Sequence, residues 1–274
     1  MSFKERLLEV SRRNGSLLCI GLDSDIERLP QFLRQELGGR AVLEFNRRII
    51  DTTHDLVCAY KLNLAFYEQL GPPGLEMMVE TLDYIPKELI TIADGKRGDI
   101  GSTSRAYAQA LFEHYGFDAT TVNPYLGLEA LEPFFEYEDR GVFILCRTSN
   151  PGAREFQDLE CEGKPLYRQV AEAAVQAHER SGNLGLVVGA TWPEELREIR
   201  ELTGEGMPLL IPGIGRQAGD LEKAVRYGTN SRGELAIINS SRGVIFASEG
   251  EDFAAAARAA AERLRDEIER CRRG

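Results

Sequence analysis

The chain has 274 residues, too many for a minimal domain and too few for two ordinary domains with a linker, so we expect one domain spanning 1–274. Hydrophobic residues make up 43% and charged residues 28%, a balance that excludes a disordered chain. The formal net charge of −11 argues against a long nucleic-acid or anionic-membrane surface, but it leaves room for a local pocket that binds a small anion.

The sequence also indicates the compartment. No apolar run approaches the roughly 20 residues of a membrane span, and the first residues lack the apolar stretch of a signal peptide. The five cysteines are odd in number, scattered, and form no C-x-x-C pair. We therefore expect reduced thiols in a cytoplasmic protein that does not bind membranes or nucleic acid.

Short apolar runs recur along the whole chain. Each has four to six residues, is rich in Val, Ile and Leu, and does not alternate with polar residues, which is typical of strands covered on both faces of a parallel sheet. In chain order the runs lie at 17–22, 57–62, 89–93, 119–122, 142–146, 184–188, 209–214 and 235–238.

Amphipathic helical patterns fill the intervals between these runs. One helical face carries Phe45, Ile49, Thr52 and Leu56, and another near the C-terminus carries Phe253, Ala257, Ala260, Leu264 and Ile268. The interval 148–183 predicts a loop followed by a helix. Eight strands alternating with helices predict a single-domain (β/α)8 TIM barrel. A doubly wound sheet is the alternative, because periodicity does not separate closed from open parallel sheets.

Polar residues gather just after the predicted strands, where (β/α)8 barrels place their chemistry. In chain order they are Asp23, Lys61, Asn63, Asp94, Lys96, Asp99, Asn123, Ser149, Pro212, Arg216, Gln217, Ser241 and Arg242. The sequence therefore predicts a site at this rim before its reaction is known.

The densest of these signals is the spacing Asp94-x-Lys96-x-x-Asp99. Residues two apart on an extended strand point the same way, so Asp94 and Lys96 are expected to face the barrel mouth together. Lys61 follows the neighbouring strand and can join them. Lysines and carboxylates packed this closely hold each other charged. The alternative to a functional site is a solvent-exposed salt bridge in a loop.

A second signal combines the glycine-rich run 212–219 with Ser241-Arg242-Gly243. Glycines let backbone amides approach an oxyanion, and an arginine supplies a charged fork. The loops after strands seven and eight are where many barrels bind phosphate. These residues therefore predict a phosphate site.

The sequence gives little support for a metal site or for a nucleophilic serine. The three histidines fall in helical intervals, and no pair has the spacing of metal ligands. Ser149 has no histidine base beside it, so a hydrogen-bonding role toward a ligand is favoured over a nucleophilic one. We expect no metal site.

The run 94–103, DGKRGDIGST, resembles the orotidine 5′-phosphate decarboxylases, which make UMP from orotidine 5′-monophosphate (OMP) in pyrimidine biosynthesis. The resemblance extends along nearly the whole chain in the family's order. It includes GLD at 21–23, YKLN at 60–63, TSNPG at 148–152, PGIGRQ at 212–217 and SRG at 241–243. The run VNPYLG at 122–127 is similar to the bacterial branch with longer chains.

The resemblance implies a barrel that acts as a homodimer without metal or organic cofactor. Lys96 would protonate C6 after CO2 leaves, and Asp94 would lie against the substrate carboxylate. Lys61 would join the charge network and reach the ribose. Asp99 and Thr103 would reach into the partner subunit's site, so each active site would be shared.

The same resemblance assigns the remaining substrate contacts. Asp23 would bind ribose hydroxyls, Ser149 the pyrimidine ring, and Gln217 with Arg242 the phosphate. Asn63, Pro212 and Ser241 complete the predicted substrate-binding set. Whether Arg216 or Gln217 contacts the phosphate stays open, because Arg216 occupies a position where relatives carry a small residue.

Two other functions remain as alternatives. A metal-dependent decarboxylase or isomerase of a sugar phosphate on the same barrel would need an acidic ligand at a strand end, and Asp94 is available. A non-catalytic nucleotide-binding barrel is disfavoured, because a complete Lys-Asp-Lys-Asp set has little use in binding alone.

Overall fold

Eight parallel strands close into a barrel in the computed structural model, which describes residues 1–214 and 218–273. The strands are β1 (Leu18–Gly21), β2 (Ala59–Asn63), β3 (Ile90–Arg97), β4 (Ala119–Val122), β5 (Gly141–Arg147), β6 (Leu184–Val188), β7 (Leu209–Ile211) and β8 (Ala236–Ser240). Their order around the barrel follows the chain, and β1 pairs with both β2 and β8 to close it. The predicted (β/α)8 barrel is confirmed, and the open doubly wound sheet is excluded.

Each predicted run overlaps a barrel strand, and the largest differences in boundary are at the ends of β3 and β7. β3 continues to Arg97, beyond the predicted end of the apolar run, with a register shift against β4 between Ala93 and Arg97. β7 ends at Ile211 because Pro212 follows, and a proline has no N–H to donate to a sheet. Both differences lie at the rim where the site was predicted.

Helices cover the outside of the barrel. They are α1 (Phe3–Arg13), α2 (Gln31–Leu37), α3 (Ala41–Thr53), α4 (Ala65–Glu68), α5 (Pro72–Tyr84), α6 (Gly101–Gln109), α7 (Glu132–Phe135), α8 (Arg154–Gln157), α9 (Leu166–Ser181), α10 (Pro193–Thr203), α11 (Ala218–Gly228), α12 (Arg242–Ile245) and α13 (Phe253–Arg273). Within the described ranges, no helix has both the length and the apolar character to cross a membrane.

Helices α3 and α13 pack against each other through the predicted apolar faces. Phe45 and Phe253 are fully buried, and their rings stack with centroids 5.0 Å apart. α13 buries Ala261 completely, whereas the predicted Ala260 is only half-buried. The reason is the helical repeat, since Ala261 lies four residues after the buried Ala257.

The interval after β5 holds short elements that the sequence did not predict, among them the helix α8 and a hairpin. A short antiparallel hairpin joins Glu160–Cys161 to Lys164–Pro165, and α9 begins directly after it. The predicted loop followed by a helix is otherwise present. The hairpin strands have two residues each, too few to produce a recognisable pattern.

Candidate active site

The carboxyl ends of β2 and β3 bring three of the predicted charged residues into direct contact. Lys61 Nζ lies 2.8 Å from Asp94 Oδ2, and Lys96 Nζ lies 2.7 Å from Asp94 Oδ1. Asp23, which follows β1, joins more loosely, with its Oδ1 atom 3.4 Å from Lys61 Nζ. One carboxylate therefore holds two ammonium groups at the mouth of the barrel.

Burial divides this network into an inner and an outer part. The side chain of Lys61 is 5% exposed and that of Asp94 is 12% exposed, whereas Lys96 is 48% exposed. Burial alone would lower the pKa of Lys61, but the charges of Asp94 and Asp23 outweigh it and raise that pKa above its usual value. Burial would likewise raise the pKa of Asp94, yet Lys61 and Lys96 hold it well below its usual value. Lys61 and Asp94 are therefore both charged at neutral pH.

The backbone around Lys96 is not the regular extended strand that the sequence argument assumed. Lys96 has φ 49°, in the left-handed region that residues other than glycine rarely adopt. Its N–H donates to Thr121 Oγ1 at 3.0 Å, and the Thr121 hydroxyl donates to Asp94 Oδ1 at 3.0 Å. Asp94 and Lys96 do face the mouth together, but a local irregularity of β3 produces that geometry, and β4 supports it.

A cavity of about 930 Å³ opens on the other side of the mouth, between the ends of β1, β7 and β8. Its lining includes Asp23, Gly213, Ile214, Ser241, Arg242 and Gly243. Arg242 is exposed at the first position of α12. Arg28 and Arg263 also line the cavity and were missed from the sequence, because neither follows a barrel strand directly.

Two glycines allow close approach around this cavity. A Cβ on Gly21 would lie 2.0 Å from Ser241 Oγ, so only glycine lets the end of β1 meet the end of β8. Gly213 has φ +89°, and a Cβ there would lie 2.9 Å from Ser149 Cβ. Ser149 is therefore packed against the segment that follows β7, and its contact with a ligand stays a prediction.

Hydrogen bonds from neighbouring segments fix the backbone around Ser149. The Thr148 N–H donates to Gln157 Oε1 at 2.9 Å, and Trp192 Nε1 donates to the Thr148 carbonyl at 2.8 Å. Thr191 Oγ1 donates to the Ser149 carbonyl at 3.3 Å. Trp192 also directly precedes α10.

Other predicted site residues lie apart from the charged network. Asp99 Oδ1 accepts the N–H of Ile100 at 2.7 Å, and Thr103 is exposed on α6. Within the described ranges, Asp99 makes no ion pair with Lys61 or Lys96 of its own chain. Its proposed contact with a partner subunit stays a prediction.

The structure describes only some of the remaining residues that were predicted to bind substrate. Asn63 Oδ1 accepts the N–H of Ala65 at 3.3 Å, where it supports the start of α4, and Pro212 is half-buried after β7. Arg216 and Gln217 fall outside the described residues. The roles of all these residues toward a substrate stay predictions.

The donor chemistry of the mouth bears on the metal-dependent alternative. In the part of the chain that the structure describes, no group of three or more His, Cys, Asp or Glu side chains is placed to hold a metal ion. Asp94, the ligand that this alternative would use, already accepts from two ammonium groups and one hydroxyl. A cation at Asp94 would have to displace the two lysines. A reaction without metal or organic cofactor stays a prediction.

Comparisons with known proteins match nearly the whole chain. The model of the Orotidine 5'-phosphate decarboxylase / HUMPS family matches residues 16–260. The chain is 51% identical to the orotidine 5'-phosphate decarboxylase of Dehalococcoides mccartyi, covering 100% of this chain and 99% of that protein. It is 52% identical to the enzyme of that name from Thermomicrobium roseum, covering 100% of this chain and 97% of that protein.

Solved structures give the same result. The Leishmania donovani OMP decarboxylase superposes with a TM-score of 0.86 at 37% identity, covering 100% of both chains. A putative orotidine-monophosphate-decarboxylase from Toxoplasma gondii has a TM-score of 0.89 at 37% identity, covering 100% of this chain and 97% of that one. The strand-end motifs, the barrel and these full-length matches lead to one conclusion: the chain belongs to the orotidine 5'-phosphate decarboxylase / HUMPS family.

Proposed function

We propose that this protein decarboxylates OMP to UMP and CO2 in pyrimidine biosynthesis. The observation that carries the proposal is the Lys61–Asp94–Lys96 network, with a half-exposed ammonium group at the barrel mouth. Relatives at about half identity over the full chain are named for this reaction. We take 1–274 as one catalytic domain.

The reaction makes a specific electrostatic demand. When the bond from C6 to the carboxylate breaks, CO2 leaves and the electron pair stays on C6 as a vinyl-type carbanion with little delocalisation. A fixed ammonium group beside C6 stabilises that charge as it develops. Lys96 then transfers a proton to C6 and becomes neutral until solvent returns a proton to its Nζ atom.

Asp94 and Lys61 prepare the ammonium group for this step. Asp94 accepts a hydrogen bond from Lys96 Nζ and so fixes its direction. In the proposed complex the ionised Asp94 lies against the substrate carboxylate, which disfavours the ground state relative to the carbanion. Lys61 keeps Asp94 ionised, and together with Asp23 it faces the ribose hydroxyls.

The far side of the mouth provides the substrate's other contacts. Arg242, Ser241 and Gln217 bind the phosphate, with Pro212 beside them, and Ser149 hydrogen-bonds the pyrimidine ring. Asn63 completes the set next to Lys61. The exposed Arg242 and the cavity after β7 and β8 support this placement. Phosphate binding lies remote from C6, so its energy can be used to position the ring.

We propose that the enzyme is a homodimer in which Asp99 and Thr103 complete the partner's site. Large apolar side chains lie exposed in the segments that follow β3 and β4, the same end of neighbouring strands as Asp99, which supports a covered surface there. Ile100 is 61% exposed, Tyr125 83% and Leu126 52%. A second copy of this chain that covered them would bring Asp99 to its neighbour.

The proposal also includes a reaction without metal or organic cofactor and a cytoplasmic location. Free thiols at all five cysteines, three of them buried in the barrel, are compatible with a reducing compartment. The network itself supplies both the charge and the proton that the reaction needs, so no additional group is required by the chemistry.

The experiment is an assay of the purified chain with OMP in the presence of excess EDTA. We expect UMP and CO2 at an undiminished rate, with the Lys96→Ala variant as the inactive control. OMP turnover that stops with EDTA and returns with a divalent metal would overturn the metal-free reaction. Metal-dependent turnover of a sugar phosphate, with none of OMP, would support the sugar-phosphate alternative. Binding of nucleotide without turnover would indicate the non-catalytic barrel.

A further inference from the structure

We propose that Thr121 is a positioning residue for proton transfer from Lys96, an inference that rests on the decarboxylase function proposed above. Thr121 lies in β4 and is only 1% exposed, so it offers almost no surface to a substrate. It therefore acts through Asp94 and Lys96.

The geometry that carries the proposal is a closed ring of three hydrogen bonds. Thr121 Oγ1 accepts the backbone N–H of Lys96 at 3.0 Å and donates its own proton to Asp94 Oδ1 at 3.0 Å. The same Asp94 oxygen accepts from Lys96 Nζ at 2.7 Å. A hydroxyl has one proton and two lone pairs, so both contacts are allowed together. The hydroxyl thus links the main chain of the acid to the carboxylate that orients its side chain.

The backbone of Lys96 explains why such a link is needed. At φ 49° Lys96 is in a conformation that persists only where its surroundings enforce it. The register between β3 and β4 shifts between Ala93 and Arg97, so the strand ladder is interrupted at this point. The Thr121 hydroxyl supplies an acceptor there for the Lys96 N–H, and it holds the peptide in the orientation that directs Nζ to Asp94.

The same hydroxyl matters during the reaction. When Lys96 gives its proton to C6 it becomes neutral, and Asp94 loses one of its two positive partners. Thr121 and Lys61 still donate to Asp94 and keep it ionised at that moment. Because Thr121 does not reach the substrate, its loss should lower kcat and leave KM nearly unchanged.

The experiment compares two substitutions at Thr121 by steady-state kinetics on OMP. Thr121→Val keeps the shape of the side chain and removes the hydroxyl. Because the lost hydrogen bond is to a charged group, we expect kcat to fall about 10- to 100-fold. We expect KM to stay within about twofold of wild type, as for an interaction that matters after the substrate is bound. Thr121→Ser restores the hydroxyl and should keep kcat within about threefold of wild type.

Thr120 offers a matched control in the same strand. It is 0% exposed, and its hydroxyl donates to the Ala93 carbonyl at 3.1 Å instead of to the side chain of Asp94 or the main chain of Lys96. Thr120→Val removes a buried hydroxyl by the same substitution without entering the ring. We expect its kcat to match that of wild type.

Several outcomes would overturn the positioning role. They are a Thr121→Val kcat above half of wild type, a Thr121→Ser kcat as low as that of Thr121→Val, or an equal loss in Thr120→Val. If Thr121→Val does not fold by circular dichroism, Thr121→Ala takes its place with the same expectations. A wild-type enzyme inactive on OMP would overturn the proposed function itself, whereas an active wild type with an unaffected Thr121→Val overturns only this inference.

Discussion

The two sides of the barrel mouth solve different electrostatic problems. At the ends of β2 and β3 the charges are paired with one another, since Asp94 holds both Lys61 and Lys96 within 2.8 Å. At the end of β8, Arg242 is exposed beside a cavity of about 930 Å³. The first side is assembled before substrate arrives, and the second is open to a ligand.

In the proposed mechanism, this difference lets one site combine substrate binding with chemistry. A network that is already paired needs no rearrangement when charge develops at C6, which is the condition for effective electrostatic stabilisation. An open cationic pocket gains most of its favourable interaction only when an anion enters it. Variants on the paired side should therefore affect turnover or folding, and variants on the open side should affect binding.

The largest expected effect is that of Lys96→Ala. A positioned acid accounts for about 10²- to 10⁴-fold in rate, so turnover should fall by at least that range while the fold is kept. The Lys96 side chain is 48% exposed and fills no core space, so stability should change little. Circular dichroism and single-turnover decarboxylation measure the two properties. A variant that kept a tenth of the wild-type rate would remove Lys96 from the role of acid.

The next largest effect is on stability, from Lys61→Met. Removing one partner of a buried ion pair costs about 3–5 kcal/mol, and we expect the lower end because Lys96 still neutralises Asp94. Unfolding by urea at pH 7.5 measures the free energy of unfolding of both proteins.

The pH dependence of this loss has a definite sign. In the wild type the pKa of Asp94 is lowered in the folded state, so its contribution is present at neutral pH and is lost only as pH falls below the usual carboxyl range. Without Lys61, only Lys96 offsets the burial of Asp94, so the pKa of Asp94 in the folded variant rises toward its unfolded value. The variant then has less carboxylate stabilisation to lose, so the stability difference should stay constant between pH 7.5 and about pH 5 and shrink as pH falls below about 4. A difference that stayed equal down to about pH 3 would contradict the paired network.

A smaller effect is expected on the open side, from Arg242→Ala. A charged hydrogen bond to a phosphate is worth about 1.5–3 kcal/mol, which corresponds to roughly a 10- to 150-fold loss in kcat/KM. Part of this loss should appear in kcat, because remote binding energy is partly expressed in the transition state. Orotidine, which lacks the phosphate, is the control substrate. An equal loss for OMP and orotidine would show that Arg242 does not bind the phosphate.

The smallest expected change in activity comes from mixing two nearly inactive variants. This experiment tests most directly whether the active site is shared between two subunits. If Asp99 completes the partner's site, a heterodimer of Asp99→Ala and Lys96→Ala has one site with both defects and one intact site. Random exchange of equal amounts would restore roughly a quarter of wild-type activity per site, as a two-fold interface requires. Activity before and after exchange, with a tagged chain to verify exchange, gives the answer. If Asp99 serves its own chain, no activity returns.

Much of this architecture could be predicted from the sequence, because its signals were local. The apolar runs identified all eight barrel strands, and their polar ends identified Lys61, Asp94 and Lys96, which the structure brings together. The full set of motifs identified the family.

What the sequence did not predict depended on tertiary register. Thr121 sits in a short apolar run, and only the shifted pairing of β3 with β4 turns its hydroxyl toward Asp94. Arg28 and Arg263 reach the cavity from positions after β1 and within α13 that carry no strand-end signal. The hairpin after β5 depends on pairs too short to leave a pattern.

The contact of Gly21 with Ser241 has a consequence for the order in which the enzyme matures. β1 is made early on the ribosome, but its place between β2 and β8 is complete only when the last strand has been synthesised. The segments carrying Lys61, Lys96 and Thr121 can meet long before Arg242 exists. Pairing of such distant segments is slow relative to local contacts. In the proposed mechanism, a nascent chain that stops before β8 would therefore carry the proposed proton donor Lys96 without the proposed phosphate ligand Arg242, so catalysis would require closure of the ring.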